Sequence, residues 1–243
     1  MTAVSEAVIL MAGSGSRLRG SDEMILKPLL SLQGRPLICY LLDALMHAGI
    51  RKIYAVVGYQ SDRLIAALTD LEWAGIEFNF IHNPNWEKRN GISVLAAENI
   101  TTAPFLLAMS DHLWDRSIVE RLLDQARPDQ LSVAVDRKLD FIFDLDDAMK
   151  LRTRGDRIVA IGKDLDRYDA IDTGLFVSPA ELFEYLRRAR QNDDCSLAEG
   201  VRLMAEDGKV RGVDIGEAWW QDIDTPAMLE DATRVLARRN EQR

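Results

Sequence analysis

The stretch "VILMAGSGSRLRGSDEMILKPLL", Val8–Leu30, decides how the chain is read. Four apolar residues run into Ala12-Gly13-Ser14-Gly15-Ser16-Arg17. A polar segment follows, then Lys27-Pro28, and the chain turns apolar again. A short apolar run of this kind, emptying into a glycine-bearing loop, is a buried strand leaving a sheet. In a parallel sheet that loop lies beyond the strand's carboxyl end, where ligands bind. Gly13 and Gly15 permit backbone angles closed to other residues and carry no side chain to block a close approach. Their amide groups can point at phosphate oxygens. Arg17 adds a planar, permanently charged fork and Lys27 a compact point charge. Two separated cations suit a triphosphate, whose charge is spread along its length. A surface turn with solvated charges is the plainer reading. The loop is neither a P-loop nor a complete G-x-G-x-x-G fingerprint.

Outward from this stretch, short apolar runs alternate with helical patterns. Strands are predicted at Ala7–Met11, Lys52–Val57, Glu77–Ile81, Phe105–Met109 and Leu131–Val135. Between them, Pro36–Ala48 reads as a helix, with proline near its start and Gly49 just past its end. Ser61 is placed to cap a helix through Leu71, and Asn90 to cap one over Gly91–Asn99. Ser117–Ala126 forms a further helix. This β-α-β-α order predicts a mostly parallel sheet with helices on both faces. After Asp136 the rhythm changes. Apolar and polar residues alternate around Arg154-Gly155-Asp156, which is a hairpin signal. Ala170–Val177 returns to the sheet, Pro179–Ala189 and Ser196–Glu206 read as helices, Val210–Ile215 as a strand, and Pro226 opens a last helix. The simplest account is one α/β domain over residues 1–243, with an inserted β-hairpin lobe at roughly 137–168.

Composition narrows the function. Of the 243 residues, 47% are apolar and 28% charged, as in ordinary globular proteins. The net charge of −9 disfavours binding of nucleic acid or anionic membrane through bulk charge, while leaving room for a local cationic pocket. Cys39 and Cys195 are the only cysteines, far apart in sequence, which suits a reducing compartment such as the cytoplasm. The N-terminus lacks the basic-then-apolar pattern of a signal peptide, and no apolar run approaches the roughly 20 residues of a membrane span.

The motif series "LMAGSGSRL…LKPLL", "NWEKRNGISVLAAENI", "FLLAMSDHLW", "VAIGKDL", "DAIDTGLFVS" and "WWQDIDTPAMLEDA" resembles the nucleotidyltransferases that activate sugar-1-phosphates and related small phosphates. The match runs in order through nearly the whole chain. The combination of "SDH", "IGKDL" and "DTGLF" is most similar to the inositol-1-phosphate cytidylyltransferase branch, some of whose members are fused to a membrane-bound synthase. The resemblance implies a Rossmann-like nucleotidyltransferase sheet and a reaction that joins CTP, or another nucleoside triphosphate, to a small phosphate or phosphonate acceptor.

It also implies roles for residues. Ala12, Gly13, Gly15 and Ser16 would cover the triphosphate, and Arg17 and Lys27 would neutralise it. Asn90, Gly91 and Ser93 match the region that contacts base and ribose; helix capping is their plainer role. Asp111, after the strand "FLLAM", would hold Mg2+ together with a late acidic residue, Asp222 or in reserve Asp224. Aspartates after strands also cap helices and turns. Lys163 would meet the acceptor phosphate, although it also reads as an exposed lysine at a strand end. Many sugar-specific relatives carry Glu-Lys-Pro here, so Gly162-Lys163-Asp164 argues against a hexose. Asp172, Thr173 and Gly174 match the segment lining the acceptor pocket, with Asp172 reading equally as a residue that holds its own turn, and Glu199 is placed to reach a polyol. His47 reads as structural, and His112 has no partner at zinc-like spacing. The hairpin lobe would serve either homodimer contacts or acceptor recognition.

Overall fold

The computed structural model describes residues 4–19, 25–71 and 73–241. Residues 20–24, within the polar segment between Arg17 and Lys27, and the last two residues of the charged tail lie outside the described residues. The first half of the chain forms β1 (Glu6–Met11), α1 (Ser16–Arg19), β2 (Ser31–Leu32), β3 (Arg35–Pro36), α2 (Leu37–His47), β4 (Lys52–Val57), α3 (Ser61–Asp70), β5 (Glu77–His82), α4 (Asn90–Leu95), β6 (Phe105–Met109), β7 (His112–Trp114) and α5 (Arg116–Gln125). The second half forms β8 (Leu131–Asp136), β9 (Lys150–Arg154), β10 (Arg157–Gly162), β11 (Ala170–Ser178), α6 (Glu181–Ala189), α7 (Leu197–Glu206), β12 (Val210–Asp214), β13 (Trp220–Asp222) and α8 (Pro226–Glu241).

Nine strands make one sheet in the order β5-β4-β1-β6-β11-β8-β12-β10-β9. The half β5-β4-β1-β6 is parallel throughout. β11 enters antiparallel between β6 and β8, and β12 runs parallel to β8. The sheet is therefore mixed, with β10 and β11 opposed to the other strands. The expected hairpin forms around Gly155, but it extends the sheet: β10 pairs with β12, and β9 pairs with both β10 and β11.

β1 shows why the apolar runs become central strands. Val8 and Leu10 enter the core on one face with residues of α4, α6 and α7. Ala7, Ile9 and Met11 enter the core on the other face with residues of α2, α3 and α5. A strand covered on both faces has no polar side to alternate with, so it reads as a continuous apolar run.

Two local expectations need correction. Asn90 is the first residue of α4 rather than its cap, and the helix ends at Leu95, short of Asn99, before continuing as turns. Ser61 likewise begins α3, and Gln60 occupies the cap position in the left-handed region. The segment leading to Asp222 is strand-like in sequence, but its partner is not marked there. β7 and β13 form a two-stranded antiparallel ribbon beyond the sheet's carboxyl edge, with Asp222 across from His112. The ribbon is backed by a small core containing Leu32, Leu37, Leu113, Ile223 and Ala232.

Candidate active site

The parallel register assembles the site. Leu10 pairs with Met109 where β1 and β6 end side by side, and Ser110 N–H donates to the Leu10 carbonyl at 3.2 Å. Asp111 therefore emerges beside the loop that starts at Ala12. The ribbon brings the late segment to the same place, because Ile223 N–H donates to the Asp111 carbonyl at 2.9 Å. Asp111, Asp222 and Asp224 thus share one end of the sheet, although more than a hundred residues separate the first from the other two.

Two adjoining cavities open there. One, of about 270 Å3, is lined by Gly13, Gly15, Ser16, Arg17, Lys27 and Asp111 among others. The other, of about 320 Å3, is lined by Asp147, Lys163, Asp172, Gly174, His112 and Asp222 among others. Arg17, Asp111 and Asp224 border both.

A run of ion pairs connects them. Lys27 Nζ donates to Asp111 at 2.5 Å and to Asp224 at 2.5 Å. Arg17 donates through Nη2 to Asp224 at 2.6 Å and through Nη1 to Asp147 at 2.7 Å. Lys163 Nζ donates to the other oxygen of Asp147. Three cations from distant parts of the chain converge and pair with three carboxylates, Asp111, Asp147 and Asp224. Burial opposes the charge of Lys27, but Asp111 and Asp224 outweigh it and hold the ammonium above the usual lysine range. Burial also opposes the charge of Asp111, and there Lys27 and then His112 outweigh it, so the carboxyl lies below its ordinary value. Asp222 differs. Burial raises its pKa, His112 opposes the shift, and Asp224 and Asp111 reinforce it. Asp222 forms no ion pair among the described residues.

Each predicted residue has a definite place. Gly15 adopts φ +61°, and a Cβ there would lie 3.1 Å from Lys27 Cβ, so a side chain is both strained and crowded. Gly13 needs no such freedom: its φ is ordinary and a Cβ would meet open space, contrary to the equal roles expected of the two glycines. Ala12 is buried, and its carbonyl accepts from Tyr59 N–H. Asn90 borders the second cavity, with its side-chain oxygen accepting from Leu197 N–H at 2.9 Å. Gly91 and Ser93 line neither cavity. A Cβ on Gly91 would meet the Cys195 carbonyl oxygen at 2.6 Å, and Ser93 is buried and accepts from Asn83.

Asp172 faces the second cavity. Burial pushes its carboxyl up to about 6 despite a hydrogen bond from Gly174 N–H and the nearby His112. Thr173, expected in the pocket wall, turns its hydroxyl into the sheet, where it donates to the Ala134 carbonyl. Glu199 does not line either cavity. Its carboxylate completes a capping box with Ser196 and accepts from Arg89. Helix capping, not polyol contact, occupies it.

Two neighbours were given no role from the sequence. His112 Nδ1 contacts the Thr173 carbonyl at 2.8 Å, so that nitrogen carries the proton, and Nε2 faces Asp111 at 3.6 Å. Gly174, at φ +75°, makes room for the ring, since a Cβ would lie 2.5 Å from His112 Cε1. Asp147 joins Arg17 to Lys163. A hydrogen bond from Lys163 lowers its pKa most, burial opposes this, and Arg17 adds to the lowering. Its only signal in the sequence was the acidic run Asp144-Leu145-Asp146-Asp147.

The model of the MobA-like NTP transferase domain matches residues 7–202. The chain belongs to that family. As a MobA-like NTP transferase it is a nucleotidyltransferase, with the family's α/β fold. It is 29% identical over 97% of its length to the "Bifunctional IPC transferase and DIPP synthase" of Aquifex aeolicus, covering 52% of that protein. It is 32% identical over 95% of its length to the protein of the same name from Archaeoglobus fulgidus, covering 44%. The chain thus spans about half the length of the curated relatives it matches. Among solved structures, the inositol-1-phosphate CTP transferase from T. maritima superposes with a TM-score of 0.83 at 28% identity, covering 96% of both chains. No helix among the described residues of this MobA-like transferase is long and apolar enough to cross a membrane.

Proposed function

We propose that this MobA-like transferase joins CTP and inositol-1-phosphate to give a CDP-linked inositol and pyrophosphate. The observation that carries the proposal is the convergence of Arg17, Lys27 and Lys163 on two adjoining cavities. The similarity to the T. maritima transferase over 96% of both chains supports CTP as the nucleotide and inositol-1-phosphate as the acceptor.

The reaction forms a bond between an acceptor phosphate oxygen and the α-phosphorus of CTP. The bond to the bridging oxygen breaks, and its electron pair leaves with pyrophosphate. A phosphate monoester is already ionised at neutral pH, so no general base is required. The difficulty is repulsion between two anions. At ~4 Å, two unit charges repel by ~4 kcal/mol at an effective dielectric of about 20. Catalysis is accordingly positioning and charge neutralisation. Arg17 and Lys27 hold the triphosphate and then the pyrophosphate. Lys163 holds the acceptor phosphate. Asp172 accepts hydrogen bonds from acceptor hydroxyls. Lys150 braces the acceptor side, donating to the Lys163 carbonyl at 2.8 Å.

The donor set also fits a divalent cation, for which Mg2+ is the natural choice. Carboxylates outnumber the three cations around the two cavities, so a further positive charge would help the site hold two anions. Among the described residues no ready-made cage of three or more ligands exists. Mg2+ does not need one, since it commonly takes one or two carboxylates plus substrate phosphates and water. Asp111 and Asp222 are the ligands we assign, because Asp222 is carboxylate-crowded and forms no ion pair among the described residues, whereas Asp224 is engaged by both Lys27 and Arg17. When bound, the ion supplies charge neutralisation between the two substrates.

Pyrophosphate release, measured over a panel of nucleoside triphosphates and acceptor phosphates, tests this reading. CTP with inositol-1-phosphate is expected to give the highest kcat/KM. Nucleotide binding without release for any pair would instead favour a regulatory domain.

A further inference from the structure

Each of the three cations is held by a carboxylate, but the carboxylates are not equivalent. Asp111 is assigned to the metal, and Asp224 lies between Lys27 and Arg17, at the border of both cavities. Asp147 belongs to neither group. It comes from a separate segment, where Ala148 N–H donates to the Asp144 carbonyl at 3.1 Å and Asp147 N–H to the Asp144 side chain at 3.3 Å. That turn presents its two oxygens to two different cations. Oδ2 accepts from Arg17 at 2.7 Å, and Oδ1 accepts from Lys163. A carboxylate that bridges two cations with its two oxygens does what a phosphate group does when it bridges them.

We propose that Asp147 is a displaceable counter-ion, standing where substrate phosphate will be held and coupling the nucleotide site to the acceptor site. This rests on the assignment of Arg17 to the nucleotide and Lys163 to the acceptor. All three side chains are substantially exposed, and exposed ion pairs are weak and readily exchanged. A triphosphate engaging Arg17 loosens Asp147, which then holds Lys163 less firmly. The acceptor phosphate meets a lysine already part-released. The same exchange runs in the other direction, because coupling between binding sites is reciprocal. Asp147 therefore gives the two anions a favourable coupling that opposes their direct repulsion. It also weakens each ligand when that ligand binds alone, since only the fraction of molecules with a free cation is competent.

Calorimetric titration of the wild type, Asp147→Asn, Asp147→Glu and Asp146→Asn tests this, using a CTP analogue with a non-cleavable α–β bridge and inositol-1-phosphate, singly and together. Asp146 is an exposed neighbour on the same segment and controls for the loss of one negative charge. Asp147→Asn is expected to bind each ligand alone at least about 5-fold more tightly, within the usual range of coupling effects, and to lose the help that one ligand gives the other. Asp147→Glu and Asp146→Asn are expected to bind neither ligand more tightly than the wild type. Unchanged or weaker binding by Asp147→Asn, or equal tightening by Asp146→Asn, overturns the proposal. Pyrophosphate release by the same wild-type preparation keeps the two readings apart. If no CDP-linked product forms, the functional assignment fails, and inorganic pyrophosphate and phosphate replace the ligands in the same titrations. Tighter binding of these anions by Asp147→Asn alone then supports the counter-ion role, and no tightening overturns it.

Discussion

Lys27 Nζ lies 2.5 Å from the carboxylate of Asp111, across 84 positions of sequence. The pair joins the loop after β1 to the end of β6, the two strands that meet where ligands enter a parallel sheet. In the proposed reaction the two residues work on opposite charges, Lys27 on the triphosphate and Asp111 on the metal.

Lys27→Ala and Asp111→Ala are each expected to lower turnover by at least ~100-fold, the scale lost with one preorganised electrostatic partner. Steady-state rates of pyrophosphate release check this. Rates near wild type for either variant remove that residue from the assigned role.

The two late aspartates should separate by metal dependence. Asp222→Asn is expected to raise the Mg2+ concentration for half-maximal rate by about 10-fold or more, on the scale of losing a metal-site partner. Asp224→Asn, which removes one of the two carboxylates that each of Lys27 and Arg17 meets, should chiefly change the KM for CTP. A larger Mg2+ shift for Asp224→Asn would exchange the two assignments. Removing divalent cations with a chelator should abolish turnover in the wild type, and adding them back should restore it.

Asp172 sets a pH dependence. Its folded pKa is raised to about 6 from the ordinary aspartate value, mainly by burial. A raised folded pKa means that the native state holds the proton more tightly than the unfolded chain does. Its contribution to stability is fully present below about pH 4 and is lost as pH rises through about 6. Asp172→Asn removes this titration. The variant is expected to melt about 2 °C or more above the wild type at pH 7, with the difference narrowing toward pH 4. Thermal melts across that range without convergence would refute the assignment.

Gly174→Ala is expected to destabilise the fold by about 1–3 kcal/mol, because φ is +75° and the new methyl group would press on His112. Chemical denaturation measures the loss. Gly13→Ala, at an open position with ordinary backbone angles, should cost far less.

Much of the fold was legible because central strands of an α/β sheet are buried on both faces. Continuous apolar runs such as Phe105–Met109 declare themselves, and the residues just after them are at the ligand end by topology. That is why Arg17, Lys27 and Asp111 could be placed from the sequence. The β7–β13 ribbon could not. Each strand is three residues long, the two are paired across a hundred positions, and neither shows a period. Asp147 was hidden for a related reason. Its acidic run suits a solvated hairpin, and only the folded turn aims its carboxylate at two cations. Thr173 and Glu199 show the opposite error. Both belong to segments that border the pocket, yet a sheet hydrogen bond and a helix cap had first claim on their polar atoms. Sequence resemblance marks the segment, while local hydrogen bonding decides which side chains remain available.

A crystal structure with the non-cleavable CTP analogue, inositol-1-phosphate and Mg2+ tests the central claim most directly. The account predicts the triphosphate against Arg17 and Lys27, the acceptor phosphate on Lys163, and both anions sharing the crevice bordered by Asp111. Phosphates bound on a different face, or the acceptor held away from Lys163 and the nucleotide, would contradict it.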